Sequence, residues 1–306
     1  MPSWTNATPT DPTTRGVLRP VTTGREAGLR RDLPVSPALE PFVERYWAVR
    51  WDRSGRGPFR SEVLPHPSVN LSLERGDRPR FGVELPAVLL HGVVGHRFTV
   101  DLTGRGRVVA AKFRPGGFTA LTGVVVPRST VRPVAPADLG EQGGQAAASG
   151  LDDALRVLSE DGSDEAVTAR LDDALRPLAH EPDPAYRRLR DLLAAMVTDR
   201  ALVRVEQVAE LAGMSTRGLQ RTFAAYVGLG PKAVLARYRL QDAVAAMDDG
   251  RVDDLAGLAA SLGWFDQAHF SRDFRDVVGV TPTAYLADAR ARTTDAVDRP
   301  RSTPGP

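Results

Sequence analysis

The chain has 306 residues, of which 42% are hydrophobic and 25% charged, and its formal net charge is only +2. This composition indicates a folded globular protein, and the length indicates about two domains. The small net charge predicts no strong overall electrostatic field. The absence of cysteine excludes disulfides, thiolate nucleophiles and zinc–cysteine sites. The sequence contains no run of 18 apolar residues that would predict a transmembrane helix, and its N-terminus lacks the pattern of a signal peptide. We therefore expect a cytoplasmic protein.

The two ends of the chain lack periodicity. Residues 1–35 are rich in Pro, Thr and Arg, and residues 293–306 are similar, so both are predicted to be disordered tails. The organised part begins at Ser36, where Ser36 and Pro37 form a plausible helix cap and first helical residue. The helical spacing of the apolar residues over 39–43 predicts a short helix there, despite Pro41.

Short strands then dominate. Trp47, Val49 and Trp51 alternate with polar neighbours, which predicts a strand. Further strands, separated by Gly, Pro and Asp turns, are predicted at 60–64, 68–74, 81–85, 88–94, 97–102 and 107–113. A short helix is predicted at 115–122. Many short strands over 36–139 predict a barrel-like or sandwich-like domain.

Helices follow. Residues 140–149 are rich in Gly, Ala and Gln, which predicts a linker. The sequence Leu-Asp-Asp-Ala-Leu-Arg occurs at 151–156 and 171–176 and predicts two amphipathic helices, so that 140–185 is interpreted as linker and helices. A further helix at 184–199 leads into the C-terminal domain, which we assign to 186–292.

That domain carries the same structural pattern twice, at 205–223 and at 253–274. Each copy is a short apolar helix, a glycine turn, a capping residue and a second helix with polar residues facing outward, which is typical of a helix-turn-helix. The turns contain Gly213 and Gly263, and the capping residues are Ser215 and Asp266. Two copies in one chain make duplex DNA the leading candidate partner.

The outward residues suit base recognition. The first copy presents Arg217, Gln220 and Arg221, and Arg and Gln are the side chains that pair with guanine and adenine edges. Between the copies, Gly230-Pro231 begins a predicted helix over 231–248, which spans about 27 Å at ~1.5 Å per residue. Such a strut could hold two recognition helices about one DNA turn apart, ~34 Å.

Residues 186–290 resemble the DNA-binding module of the AraC/XylS family of bacterial transcription regulators. The residues that carry the resemblance are Ala209, Gly213, Ser215, Leu219, Arg221, Phe223, Gly228, Pro231, Arg239, Ala259, Gly263, Asp266, Gln267, His269, Phe270, Arg272, Phe274, Gly279, Pro282 and Tyr285. The sequence departs from the family pattern at Gly218, inside the first recognition helix, and at Gly230, where Ser or Thr is usual. Trp264 replaces the common Phe or Tyr and is predicted to be core.

The resemblance implies one monomer with two recognition helices in successive major grooves. Matched by position, the predicted DNA-binding residues are Ser215, Arg217, Gln220, Arg221, Gln267, Ala268, His269 and Arg272. Two of the matched positions have structural alternatives. His269 could form a hydrogen bond within the fold, and Arg239 is predicted to be an internal ion-pair partner.

Residues 36–135 resemble the N-terminal domain of a subset of such regulators, through Pro37, Leu39, Phe42-Val43, Tyr46-Trp47, Leu64-Pro65, Asn70-Leu71 and 112–118. In the wider family this half is often a cupin-like barrel that binds an effector or forms a dimer. His66, His91 and His96 are candidate metal ligands by residue type. Against a metal site, His91 and His96 are five apart, which puts them on opposite faces of a regular strand, and the sequence has no His-X-His pair. Arg114 is a candidate anion ligand or a structural arginine, and Trp47, Trp51 and Phe59 are predicted to be core.

The predicted fold is α+β: a strand-rich, barrel-like domain followed by an all-α domain with two helix-turn-helix motifs. The leading hypothesis is a transcription regulator, not an enzyme, without a metal or cofactor. Its candidate partners are double-stranded DNA, RNA polymerase, a small effector and a second copy of the chain, but no membrane. Two alternatives are an enzyme or a protein-binding barrel with the DNA-binding module as an accessory. An apolar cavity with a few polar groups would favour effector sensing.

Overall fold

The N-terminal half of the protein is built from two antiparallel sheets. The computed structural model describes Leu18 and residues 30–64, 66–199 and 201–297. Its strands are β1 (Arg30–Leu33), β2 (Val43–Asp52), β3 (Phe59–Val63), β4 (Asn70–Gly76), β5 (Ala87–His91), β6 (Phe98–Leu102), β7 (Arg105–Phe113) and β8 (Val131–Pro133). One sheet has the order β1-β2-β7-β4-β5-β8, and β3 pairs with β6 in a second sheet. The strand-rich N-terminal domain is thus confirmed, with open sheets among these strands rather than one closed ring.

The helices follow the sheets. Their bounds are α1 (Gly117–Thr122), α2 (Gly144–Ser159), α3 (Asp164–Leu175), α4 (Pro184–Thr198), α5 (Val205–Leu211), α6 (Thr216–Tyr226), α7 (Pro231–Asp248), α8 (Leu255–Ser261), α9 (Gln267–Val278) and α10 (Pro282–Val297). The predicted short helix, the two amphipathic helices, the helix before the first motif and the 231–248 helix are all confirmed. None of the helices in the described ranges is long and apolar enough to cross a membrane.

The alternation in β2 separates two cores. Tyr46 and Ala48 point into the larger core, which the helices cover. Trp51 points the other way, against Leu102 of β6, with Trp47 and Val49 beside it. The two-stranded sheet therefore covers the face of the six-stranded sheet that the helices leave open.

The predicted helix at 39–43 is wrong. Residues 37–42 form successive turns, and β2 begins at Val43. Pro41 has no amide hydrogen and disfavours a helical conformation in the residue before it. Ser36 does not cap, since its hydroxyl has no hydrogen-bond partner among the residues that the structure describes and its amide donates to Asp172 of α3 (3.1 Å).

Two other predictions are also corrected. The 81–85 strand is a turn, because Phe81 and Gly82 adopt positive φ (53° and 75°) between bridge partners Arg80 and Val83. The 140–149 linker is ordered, because α2 begins at Gly144. A Cβ at Gly144 would lie 2.5 Å from the carbonyl oxygen of Pro136, so this glycine permits close packing rather than flexibility.

The predicted tails are partly ordered. Residues 30–33 form β1, and Leu18 is buried in the core of the C-terminal motif. These contacts join residues distant in sequence, so local composition did not indicate them. The last helix continues to Val297, while 1–17, 19–29 and 298–306 lie outside the described residues.

The larger core continues into the first helix-turn-helix motif. Phe42 stacks on Tyr186 of α4 (centroids 6.0 Å apart), and Tyr186 stacks on Tyr226 of α6 (5.8 Å). The Tyr186 hydroxyl donates to the Pro41 carbonyl (3.0 Å), and that of Tyr226 donates to Asp183, the α4 cap. The aromatic contacts therefore join the sheet region to the first recognition helix.

A buried charge cluster fixes α3 against the main sheet. Arg107 of β7 is 5% exposed and Asp164 of α3 is 6% exposed. The Nη2 and Nε atoms of Arg107 lie 2.6 and 3.0 Å from Asp164 Oδ1, and Arg50 Nη2 lies 2.9 Å from the same oxygen. Burial alone raises the pKa of Asp164, but the hydrogen bonds from the two arginines outweigh burial and hold it below its ordinary value.

We predict that Asp164→Ala lowers the free energy of unfolding by about 3–5 kcal/mol, because it leaves the Arg107 guanidinium buried without its carboxylate. Urea unfolding measures the change. The control is Asp153→Ala, which removes an exposed partner of Arg156 and should cost under about 1 kcal/mol. Equal losses in the two variants would contradict the argument.

The same cluster predicts a pH dependence. Since the folded pKa of Asp164 is lowered, its stabilising contribution is complete well above the unfolded value of about 3.9 and is lost as the pH falls through the folded value. The stability difference between the wild-type chain and Asp164→Asn should therefore shrink on acidification. A constant difference would contradict the pKa assignment.

Candidate nucleic-acid interface

The first motif consists of α5, a four-residue turn and α6. Gly213 adopts φ 61°, which an L-residue rarely tolerates, and so ends the α5 segment. Ser215 caps α6, since its Oγ accepts from the Gly218 amide (3.1 Å). Leu219 and Phe223 are fully buried and anchor α6 to the core.

The opposite face of α6 is open to solvent. Ser215, Arg217, Gln220 and Arg221 are all exposed. Gly218 lies in the first turn of the helix, where an added Cβ would approach Ser215 Oγ to 3.3 Å, tighter than most contacts of this kind. The first predicted reading face is therefore assembled on one accessible surface, and its role in DNA binding stays a prediction.

The second motif consists of α8, a turn and α9. Gly263 adopts φ 76° in the turn, and the carboxylate of Asp266 accepts from the His269 amide (2.6 Å). Phe270 and Phe274 are fully buried and pack edge-to-face (5.5 Å). Three predicted contact residues remain exposed: Gln267, Ala268 and Arg272.

His269 differs from the other predicted contact residues. Its side chain is 42% exposed, and Nε2 lies 3.3 Å from Asp273 Oδ2. The same oxygen accepts from the Trp264 indole (2.9 Å). His269 thus has a partner within the fold, as its structural alternative requires, and its ring is half available to a ligand.

Arg239 and Trp264 have internal roles. The Arg239 guanidinium lies over the Trp264 ring (3.8 Å to the centroid), and its Nε donates to the Leu262 carbonyl (2.5 Å). Burial lowers the pKa of Arg239, while Asp273 acts in the opposite direction. The predicted internal position of Arg239 is confirmed, but its close contacts are a carbonyl and an aromatic ring rather than a carboxylate.

The residues considered for metal or effector binding each have different partners in the fold. His91 Nε2 contacts Ser72 Oγ (2.8 Å), whereas His66 packs beside Tyr238 (5.9 Å between centroids). Within the described ranges no three His, Asp or Glu residues form a metal-type group. Arg114 donates to the Glu40 carbonyl (2.7 Å), which is a structural contact.

Sequence reasoning missed Phe265. This residue is 93% exposed and immediately precedes the cap of α9. The available signal was a difference in turn length, because the second motif has one more residue between its glycine and its cap than the first.

Comparison with protein families matches both halves of the chain. Residues 208–288 match the family described as Helix-turn-helix domain, and residues 31–132 match Domain of unknown function (DUF6597). The chain is 33% identical over 81 residues to an uncharacterised HTH-type transcriptional regulator of Haemophilus influenzae, covering 26% of this chain and 27% of the relative. It is 30% identical over 117 residues to the regulator YidL of Escherichia coli K12, covering 37% and 38% respectively. The chain thus spans well under half the length of either relative.

Solved structures with likeness to this chain share little sequence with it. ToxT from Vibrio cholerae is 11% identical, with 79% of this chain and 97% of that chain covered and a TM-score of 0.40. The C-terminal domain of AraT, a response regulator from Geobacillus stearothermophilus, is 20% identical, covers 35% and 88%, and has a TM-score of 0.32.

We predict that Asp266→Ala lowers the free energy of unfolding by about 1 kcal/mol, because the first turn of α9 loses its cap. Chemical denaturation measures the change. Asp266→Ser should retain most of the stability, since serine is also a good cap. Asp276→Ala removes an exposed acid near the end of the same helix and serves as a control with little or no loss.

Proposed function

We propose that this chain, whose residues 208–288 are a helix-turn-helix domain of the AraC/XylS type, is a transcription regulator that binds a specific sequence of duplex DNA. The observation that carries the proposal is the pair of recognition helices, α6 and α9. Each is anchored by buried apolar side chains, begins at a capped N-terminus and presents polar residues to solvent.

The proposed contacts follow from chemistry and position. Arg217, Arg221 and Arg272 carry exposed guanidinium groups, which suit guanine edges and phosphates, whereas exposed Gln220 and Gln267 suit adenine. Ser215 is the cap of α6 and Ala268 lies in the first turn of α9, where the backbone is proposed to approach the groove most closely. In helix-turn-helix proteins the N-terminal residues of the recognition helix contact the base edges.

His269 has a second proposed role beside base contact. Because the His269 imidazole contacts Asp273, the side chain keeps its position on the α9 surface even without a contact to a base. The Trp264 indole donates to the same carboxylate, which fixes Asp273 between the core and the reading face. His269 is thus proposed to link packing and recognition.

We propose that residues 36–139 form the regulatory domain, that 140–185 connect it to the DNA-binding domain, and that 186–292 bind DNA. A buried contact between the two halves supports the proposal that the regulatory domain acts on the DNA-binding domain. Arg237 of α7 is 2% exposed and donates to the carbonyls of Val94 and Gly95. The input is proposed to be a small effector or dimerisation and the output a contact with RNA polymerase; no catalytic role is proposed.

We predict sequence-selective binding whose affinity falls steeply with salt, because phosphate contacts release counterions. Fluorescence anisotropy on a duplex selected from random sequence measures it. Arg221→Ala should reduce the preference for that duplex by about 1–3 kcal/mol without unfolding the chain. Arg170→Ala removes an exposed arginine of α3 and should leave binding unchanged.

The Arg221 prediction fails if the variant loses stability in proportion to its loss of binding, since Arg221 would then be structural. The wider proposal fails if the wild-type chain binds all duplexes equally, or none at low salt.

We also predict that α6 and α9 bind DNA segments about one helical turn apart, because both motifs are fixed to α7. Footprinting should show two protected major-groove patches separated by about 10 base pairs for each monomer. Inserting about five base pairs between the patches turns one of them to the opposite face of the duplex and should abolish selective binding. Tolerance of the insertion would show that one motif acts alone.

A further inference from the structure

The two helix-turn-helix turns begin identically and then diverge. In each, a glycine with positive φ is followed by a residue whose amide donates to the preceding helix: Met214 to Ala209 and Trp264 to Ala259, both at 2.9 Å. The first motif then proceeds directly to its cap. The second motif inserts Phe265 before its cap.

The recognition helices themselves start in the same way. Ser215 and Asp266 each cap by accepting from the amide three residues later, at 3.1 and 2.6 Å. Phe265 is therefore an added residue in an otherwise matched frame. Its position is the one just before the N-cap, at the end of α9 that approaches DNA in this kind of motif.

The ordinary explanation for an apolar residue at this position is a hydrophobic staple. In a staple, the residue before the cap packs against the fourth helical residue, which in α9 is Phe270. Here Trp264 occupies that place, with its ring centroid 5.0 Å from that of Phe270 and an interplanar angle of 64°. Trp264 is 5% exposed, whereas Phe265 is 93% exposed. Phe265 thus makes no staple.

Single exposed apolar residues are common on protein surfaces, so exposure alone decides nothing. The location of Phe265 is what suggests a role in DNA binding, because the residue lies near the exposed Gln267 and Ala268 at the start of α9. In helix-turn-helix proteins this end of the recognition helix contacts the base edges. The apolar group on those edges is the thymine 5-methyl, which phenylalanine contacts in the major groove.

We propose that Phe265 is a specificity-determining residue of the second motif, and that its ring packs on a thymine 5-methyl group beside the bases that α9 reads. This inference rests on the proposed DNA-binding function. In the first motif the residue before the cap is Met214, which is 39% exposed, so Phe265 presents the more exposed apolar side chain of the two turns.

The test compares the wild-type chain with Phe265→Ala by anisotropy on the selected duplex. Each thymine is replaced in turn by deoxyuridine, which removes only the 5-methyl group. We expect deoxyuridine at one position in the α9 segment to weaken wild-type binding about fourfold, the equivalent of one buried methyl group at ~0.8 kcal/mol. Phe265→Ala should bind the unmodified duplex at least about tenfold more weakly and be insensitive to that replacement.

Controls separate this contact from the other effects. Phe265→Leu keeps apolar area and should restore part of the affinity, and thermal unfolding should be unchanged in both variants because the side chain is exposed. The salt dependence should keep its slope, since no phosphate contact is lost. Val125→Ala, which shortens another exposed apolar residue (53%), should bind like the wild type.

Several outcomes overturn the inference. Unchanged affinity in Phe265→Ala, with the deoxyuridine sensitivity retained, would exclude a DNA contact. If that variant also lost transcription in a reconstituted polymerase reaction, the ring would be a protein-binding residue. Weaker binding without any sensitive thymine would overturn the methyl contact in favour of the sugar. If the wild-type chain showed no sequence preference, the proposed function itself would fail, which is a separate result.

Discussion

The helix α7 is the constraint on which the rest of the structure depends. Its buried residues are distributed around the whole helix, which is typical of a central helix rather than a surface helix. Its first half, with Val234 and Tyr238, belongs to the core shared with the sheet and the first motif. Its second half, with Val244 and Met247, belongs to the core of the second motif. Because both cores pack on one rigid element, the two recognition helices cannot move independently without exposing apolar surface.

The N-terminal half contacts this helix and the second motif directly. Gln241 of α7 donates to the Leu64 carbonyl (3.0 Å), and burial lowers the pKa of Arg237 to about 10. The Arg97 amide donates to the Val277 carbonyl at the end of α9 (2.7 Å). The contacts of Arg237 and Arg97 hold the loop between β5 and β6 against the helices, and the Gln241 contact holds the residue that follows β3.

The features that could be predicted from the sequence are those with local causes. The glycine turn and cap at Ser215, the proline start of α7 and the alternation around Trp47 each depend on neighbouring residues, and each formed as expected. The predictions failed where contacts between residues distant in sequence determine the structure. Ser36 bonds to α3 instead of capping, and Leu18 is buried in a core whose other members, apart from Leu64, lie more than two hundred positions later. The exposure of the recognition faces was predictable, while partners such as Asp273 for His269 were not.

The two motifs are therefore unequal despite their shared pattern. On α6, the predicted contact residues Arg217 and Arg221 are exposed, and the helix carries Gly218 in its first turn. On α9, His269 is held by Asp273, which also binds the indole of the core residue Trp264. A side chain with a fixed partner loses less conformational entropy on binding and discriminates more sharply between ligands. The α9 surface is thus the more preorganised of the two, and the added residue in its turn extends that surface with an apolar group.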